Sequence, residues 1–155
     1  MPETPEVAEL REEIDAVERA AARRIEPGRR GFVIAVLVFV LMIALLLPWV
    51  DDSAGWRVLL YGEDGAIPRL FAATSTGFGI GTSVLTLLTR RWWLAWVCAV
   101  GTCVASLDGM LAIWSLQSSG ASGHPGAGPG FGMTAAMILV IVLAANWLRI
   151  AWSRT

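Results

Sequence analysis

The chain contains no lysine, a single histidine and only two cysteines among its 155 residues. The histidine, His124, lies in a glycine-rich loop, and no serine in the sequence lies beside a plausible base. Cys98 and Cys103 are five positions apart, which on a helix places them about 140° apart around the axis, so they cannot easily form a disulfide with each other. The sequence therefore predicts no metal site, no cofactor and no enzymatic activity.

Charge is scarce and unevenly distributed. The sequence has twelve arginines and thirteen acidic residues, for a formal net charge of -1. Eight of the acidic residues lie between Glu3 and Glu26. Arginine supplies all of the positive charge, which is typical of the codon usage of a GC-rich bacterial genome. Because the acids balance the arginines at the start of the chain, no binding to nucleic acid is expected.

Long apolar runs dominate the rest of the chain. Four stretches carry almost no charge: Phe32 to Val50, Leu70 to Thr89, Trp93 to Ser115, and Met133 to Trp152. Each has about the 20 residues that a helix needs to cross a hydrocarbon core roughly 30 Å thick. The first follows a charged leader of 30 residues, unlike the short basic start of a secretory signal. The predicted fold class is an all-α membrane protein with four transmembrane helices.

The arginines predict how such helices would be oriented. If the helices alternate in direction, ten of the twelve arginines fall on one side, and only Arg57 and Arg69 fall on the other. The positive-inside rule then places both termini in the cytoplasm, for a multi-pass protein of the cytoplasmic (inner) membrane. All eight tryptophans lie at or near the ends of the apolar stretches, which is typical of an aromatic belt.

The first 30 residues are predicted to form a cytoplasmic tail, separate from a helical bundle over residues 31–155. Val7, Leu10, Ile14 and Val17 recur at steps of three and four, which is the apolar seam of an amphipathic helix or short coiled coil from about Pro5 to Glu26. This seam could pack against the bundle, associate with a second copy or bind a partner protein. The acidic polar face favours protein contact over an anionic membrane surface.

Small residues are concentrated in the second and third apolar stretches. In the third stretch Gly101 and Ala105 are four positions apart, and in the second stretch two rows recur every four positions: Ala73, Gly77, Gly81 and Ser75, Gly79, Ser83. Small residues at this spacing let helix backbones approach closely. The sequence therefore predicts a tightly packed antiparallel hairpin of these two helices. The less favoured alternative is that the glycines interrupt the second helix, which then lines a permeation path.

Asp108 is the one ionisable residue deep within an apolar stretch. A carboxylate there is costly unless it has a partner, and Thr74, Ser75 and Thr76 lie at the same depth on the second helix. Arg69 and His124 are further candidate partners. Three roles remain open: a hydrogen-bonded latch of the hairpin, a proton or cation relay, and a ligand contact.

The chain resembles small, uncharacterised, conserved membrane proteins of actinobacteria, of the mycobacterial type. The resemblance lies in the LREEIDAVERAAARRI tail, the PGRRG entry, the LLLPW exit and the GW-containing outer loop. It implies a cell-envelope setting, with the lipid bilayer as surroundings, and it carries over no residue roles.

The leading functional hypothesis is a non-enzymatic accessory or scaffold subunit of a cell-envelope or membrane complex. In that hypothesis the tail seam and the small-residue hairpin make the contacts. The alternative is a small homo-oligomeric transporter or channel that uses Asp108 and the glycine-rich second helix.

Overall fold

The computed structural model describes residues 5–22, 28–62, 65–121 and 128–153. Within these ranges the elements, in chain order, are α1 (Pro5–Ala22), α2 (Gly28–Ala44), β1 (Pro48–Val50), β2 (Ser53–Ala54), α3 (Gly55–Tyr61), α4 (Ala66–Thr74), a π-helix (Ser75–Thr82), α5 (Ser83–Thr89), α6 (Trp92–Ala121) and α7 (Phe131–Trp152). The fold is helical apart from one short two-stranded sheet.

Four helical rods alternate in direction: α2, the continuous run α4–π–α5, α6, and α7. Their packing is visible in two apolar clusters at opposite ends of the bundle. One contains Leu41, Phe71 and Met133, and the other contains Ile34 and Trp147. Because each rod contributes residues from one part of its length to each cluster, the chain runs up and down through the bundle four times.

The first rod ends earlier than its apolar sequence predicts. The apolar stretch from Phe32 to Val50 was expected to be helical to about Leu47, but α2 ends at Ala44. Pro48 has no backbone N–H and disfavours helical geometry at the preceding residue, so the chain turns and enters β1 instead. Asp51, with φ 48°, then closes the tight β1–β2 turn, since aspartate tolerates the left-handed region.

Trp49 joins this turn to the core. The indole is fully buried, Nε1 donates to the carbonyl of Ala44 at 2.8 Å, and the ring stacks on Phe71 with centroids 5.2 Å apart. Gly130 lies against it, because its N–H donates to the Trp49 carbonyl at 2.7 Å and a Cβ there would meet the carbonyl oxygen of Pro48. The prediction of a belt of surface tryptophans is wrong for Trp49, and also for Trp147, which is 1% exposed.

The second rod contains a π-helix of eight residues. Helices of this kind are rare because their wide turn packs poorly along the axis. Three glycines lie within this one, and they remove the side chains that a widened turn would otherwise have to place. The widening lets Ser83 Oγ donate to the carbonyl of Phe78, five residues earlier, at 3.2 Å.

Three helical stretches of the described residues are long and apolar enough to cross a membrane, by length and composition alone: Ala66–Thr89, Trp92–Ser118 and Phe131–Trp152. Four were predicted, and α2 with its 17 residues is the one that is missing. Length and composition do not distinguish such a helix from one buried in a protein.

Large apolar side chains remain on the outer faces of the rods. Phe32 is 73% exposed, Met110 67% and Leu107 63%. Patches of this kind mark interaction surfaces, so the described residues do not by themselves cover the apolar surface of the bundle.

Candidate functional site

Asp108 lies on the second half of α6 and is partly buried. Its Oδ2 atom is buried and has no hydrogen-bond partner within the described residues. The three hydroxyls predicted to bind it do not do so. Thr74 Oγ1 donates to the carbonyl of Leu70 and Ser75 Oγ to that of Ala72, while Thr76 Oγ1 is itself buried without a partner.

The predicted latch is therefore not formed, because a hydroxyl on a helix reaches its own preceding carbonyls more easily than a neighbouring helix. Of the two other candidate partners, Arg69 lies against Gly62, where a Cβ would be 2.6 Å from its Cδ atom. His124 lies outside the described residues.

A cavity of about 490 Å³ opens beside Asp108, between the start of the second rod and the second half of α6. Its lining combines one carboxylate, two hydroxyls and four apolar side chains: Ile67, Leu70, Asp108, Leu111, Trp114, Ser115 and Ser118. Trp114 is 67% exposed and forms part of the rim. The arrangement is a small apolar cleft with a single negative charge.

The glycines predicted to pack between helices divide into two groups. A Cβ on Gly101 would overlap the ring of Phe78, and Ala105 is fully buried, so both lie in the helix interface. Gly77 is exposed and has no atom within 4 Å of a Cβ position, and the same position on Gly81 meets only a backbone oxygen of its own turn at 3.7 Å. The close contact on the second rod is made by Gly79, against Leu41.

This difference follows from which face of the second rod is buried. Residues four apart do share a face here: Ser75, Gly79 and Ser83 are all buried, whereas Gly77 and Gly81 are both exposed. The packing predicted for Gly77 and Gly81 is thus corrected, because these two glycines lie on the outer face of the rod.

A buried polar cluster joins α5, α6 and α7, and the sequence analysis did not identify it. Trp147 Nε1 donates to Ser83 Oγ at 3.0 Å. Cys98 Sγ lies 3.1 Å from Thr86 Oγ1 and donates to Thr82 Oγ1 at 3.3 Å. Cys98 thus links α6 to the second rod through these hydroxyls. The hydroxyls of Thr82 and Thr86, four residues apart, were the available signal.

The tail seam is exposed on α1. Val7, Leu10, Ile14 and Val17 are 46%, 59%, 57% and 68% exposed, and the last predicted turns, residues 23–27, lie outside the described residues. The separation into a tail over residues 1–30 and a bundle over residues 31–155, and the role of the seam, stay predictions.

One end of the bundle is rich in arginine. Exposed arginines lie at the start of α2, in the turn between α5 and α6, and in the last turn of α7: Arg29, Arg30, Arg90, Arg91 and Arg149. The alternating rods bring these segments to the end that holds the Ile34 and Trp147 cluster. Asp51 and Asp52 lie at the opposite end, in the β1–β2 turn. We call the first of these the arginine end.

The chain thus belongs to the class of antiparallel helical-bundle domains. One end of its bundle is basic, and an apolar cleft lies toward the opposite end. A family model described as the MiaB C-terminal domain matches residues 11–155. The chain belongs to the MiaB C-terminal domain family.

A curated relative gives the family a chemical setting. The chain is 48% identical over 157 residues to a protein of Mycobacterium avium (strain 104) named tRNA-2-methylthio-N(6)-dimethylallyladenosine synthase. The match covers 97% of this chain and 22% of the relative, so the chain spans about a fifth of the relative's length. No solved structure matches the chain.

These comparisons contradict the identification drawn from the sequence. The resemblance to uncharacterised actinobacterial membrane proteins is replaced by membership of the MiaB C-terminal domain family. The four-span membrane fold, the lipid bilayer as surroundings and the N-in/C-in location in the cytoplasmic membrane are contradicted by the same match. Those predictions depended on the length, composition and flanking charge of apolar helices, which carry no family information.

The functional predictions are contradicted as well. The non-enzymatic scaffold and the alternative transporter or channel are overturned because the curated relative is an enzyme. The exclusion of nucleic acid is overturned because the relative's name gives tRNA as its substrate. The net charge was a poor guide to nucleic-acid binding, because it sums charges from the whole chain. The fold places the arginines at one end of the bundle and Asp51 and Asp52 at the other.

Proposed function

We propose that this chain serves the formation of 2-methylthio-N(6)-dimethylallyladenosine in tRNA, as a helical domain of a synthase of the kind found in Mycobacterium avium. The observation that carries the proposal is the 48% identity across 97% of the chain. Because the matched segment is 22% of the relative, the proposal assigns the methylthiolation chemistry to the remaining part of the enzyme and gives this domain a role in binding the substrate.

The arginine end is the surface that suits this role. Arg29 and Arg30 on α2, Arg90 and Arg91 in the α5–α6 turn, and Arg149 on α7 are all exposed. Arginine binds phosphate oxygens through a planar set of N–H donors, and such contacts supply most of the sequence-independent affinity for nucleic acid. Arg90 adopts φ 52° and its N–H donates to the carbonyl of Thr86 at 2.8 Å, so the turn that carries Arg90 and Arg91 has a defined backbone conformation.

Whether methylthiolation requires this domain can be measured in the Mycobacterium avium synthase. The full-length Mycobacterium avium synthase and a variant that lacks the segment matched here would be expressed in cells that lack their own synthase. Nucleosides from total tRNA, separated and weighed by mass spectrometry, give the ratio of methylthiolated to unmodified dimethylallyladenosine. We expect the ratio to fall at least about tenfold in the truncated protein, and an unchanged ratio would contradict the proposal.

Binding of tRNA by this chain tests the arginine end directly. Fluorescence anisotropy with labelled tRNA, repeated at several salt concentrations, gives the affinity and its salt dependence. The variant Arg90→Gln, Arg91→Gln should weaken binding and lower the slope of log K against log salt by about one to two, since each phosphate contact contributes close to one.

The chain offers a matched control in Arg57→Gln, Arg69→Gln, which removes the same charge from the opposite end. Arg57 lies over the Trp56 ring at 5.4 Å, and Arg69 lies against Gly62. This control should bind tRNA like the unaltered chain. Equal losses in both double variants would show that only net charge matters and would refute the arginine end as the binding surface.

A further inference from the structure

The cavity beside Asp108 is separate from the arginine end and is not explained by tRNA binding. Its lining holds one carboxylate, and Ile67, Leu70 and Leu111 supply apolar walls. A volume of about 490 Å³ lies within the range of roughly 300 to 1,000 Å³ that small-molecule sites occupy. An open cleft of this size has room for a compact organic molecule but not for a nucleotide chain.

The charge of the cleft limits what it can bind. Asp108 lines the cavity, and its Oδ2 atom is buried and has no hydrogen-bond partner in the described residues. A buried, unpaired carboxylate oxygen is unfavourable, and an N–H donor that carries positive charge is its strongest available partner. An anion would be repelled by the same group.

Trp114 adds a second feature that favours a cation. Its ring is 67% exposed at the rim of the cavity, on the same helix as Asp108 and six residues later. The face of an indole attracts ammonium and guanidinium groups, and its apolar surface also packs against a hydrocarbon body. Asp108 and Trp114 thus provide two sources of attraction for one positive group.

We infer that this cavity is a binding site for a small organic cation with an apolar body, such as an alkyl or arylalkyl ammonium. The ammonium group bonds to the carboxylate of Asp108 under the rim formed by Trp114. The apolar body lies along Ile67, Leu70 and Leu111. The inference does not depend on the proposed role in tRNA modification.

Isothermal titration calorimetry of the full chain with 4-phenylbutylammonium tests the site. Its neutral isostere, 4-phenylbutanol, has the same apolar body and no charge. We expect the ammonium to bind at least about tenfold more tightly than the alcohol, because only the ammonium can pair with the carboxylate. This comparison uses the unaltered protein, so it does not depend on how any variant folds.

Two variants locate the binding. Asp108→Asn keeps the shape of the side chain and should weaken ammonium binding at least about tenfold, while Asp52→Asn, at an exposed carboxylate of the β1–β2 turn, should leave it unchanged. Trp114→Leu should weaken it several-fold, and Trp93→Leu, whose indole is 54% exposed at the other end of α6, should not.

Three results would overturn the inference. The first is the absence of ammonium binding to the unaltered chain. The second is equal affinity for the ammonium and the alcohol, which would identify the cleft as a plain apolar pocket. The third is an Asp108→Asn protein that keeps its circular dichroism spectrum and binds the ammonium as tightly as before.

Discussion

The hydrogen bond between Trp147 and Ser83 is expected to be a main stabilising contact between α7 and the second rod. The indole is 1% exposed, and Nε1 donates to Ser83 Oγ at 3.0 Å. Ser83 is fully buried, and its hydroxyl donates in turn to the Phe78 carbonyl at 3.2 Å. Ser83→Ala removes the acceptor but leaves the indole N–H buried, so it should lower the free energy of unfolding by about 1–3 kcal/mol.

Trp147→Phe removes the same hydrogen bond from the other side and also leaves a cavity where the larger ring was. We expect a loss of roughly 2–3 kcal/mol, somewhat below the cost of truncating a buried aromatic residue to alanine. In the double variant the unpaired N–H is gone. The double variant should therefore lose less stability than the sum of the two single losses, and the difference, the coupling energy, should be about 1 kcal/mol.

Denaturant unfolding followed by circular dichroism measures all four proteins of this cycle, because fluorescence would itself change when Trp147 is replaced. Trp93→Phe, at an indole that is 54% exposed, serves as the control and should change stability by less than about 0.5 kcal/mol. Strictly additive single losses, or a Ser83→Ala protein as stable as the unaltered chain, would refute the reasoning.

Two further predictions concern the small and the sulfur-containing residues. Gly101→Ala places a methyl group against the Phe78 ring and should destabilise the fold by about 1–2 kcal/mol. Gly77→Ala places its methyl group in open space and should stabilise the fold by up to about 1 kcal/mol. Thermal unfolding of both variants measures the two effects, and equal shifts in melting temperature would contradict the prediction. Cys98 is buried and Cys103 is partly exposed, so iodoacetamide should alkylate Cys98 at least about tenfold more slowly, as followed by peptide mass spectrometry; equal rates would place Cys98 at the surface.

Some of the fold could be read from the sequence because it depends on local properties. Apolar runs separated by turn residues gave four rods that alternate in direction, and the periodic tail gave a helix that begins at Pro5. The end of α2 was placed about three residues too late, at about Leu47, because Pro48 marks a helix end without fixing how many residues before it the helix stops.

The candidate site was less predictable, because it depends on which side chains the rods bring together. Asp108 was singled out as chemically unusual. Of its expected partners, Thr74 and Ser75 bond to carbonyls of their own helix, and Thr76 Oγ1 has no partner within the described residues. Two rows of small residues were predicted on the second rod, and the pattern alone did not decide which row faces the bundle. The row with Gly79 is buried against Leu41, and the row with Gly77 and Gly81 is exposed.

The sequence by itself determined where the helices lie, which segments are apolar and that one carboxylate stands apart from the other charges, because these depend on composition and on contacts between residues close in the chain. Only the tertiary structure decided that Trp49 and Trp147 belong to the core, that Cys98 bonds to hydroxyls of the second rod, and that Asp108 lines a cavity. Each of these depends on the rotation of one rod against another, which a hydrophobic pattern shared by all four rods leaves undetermined.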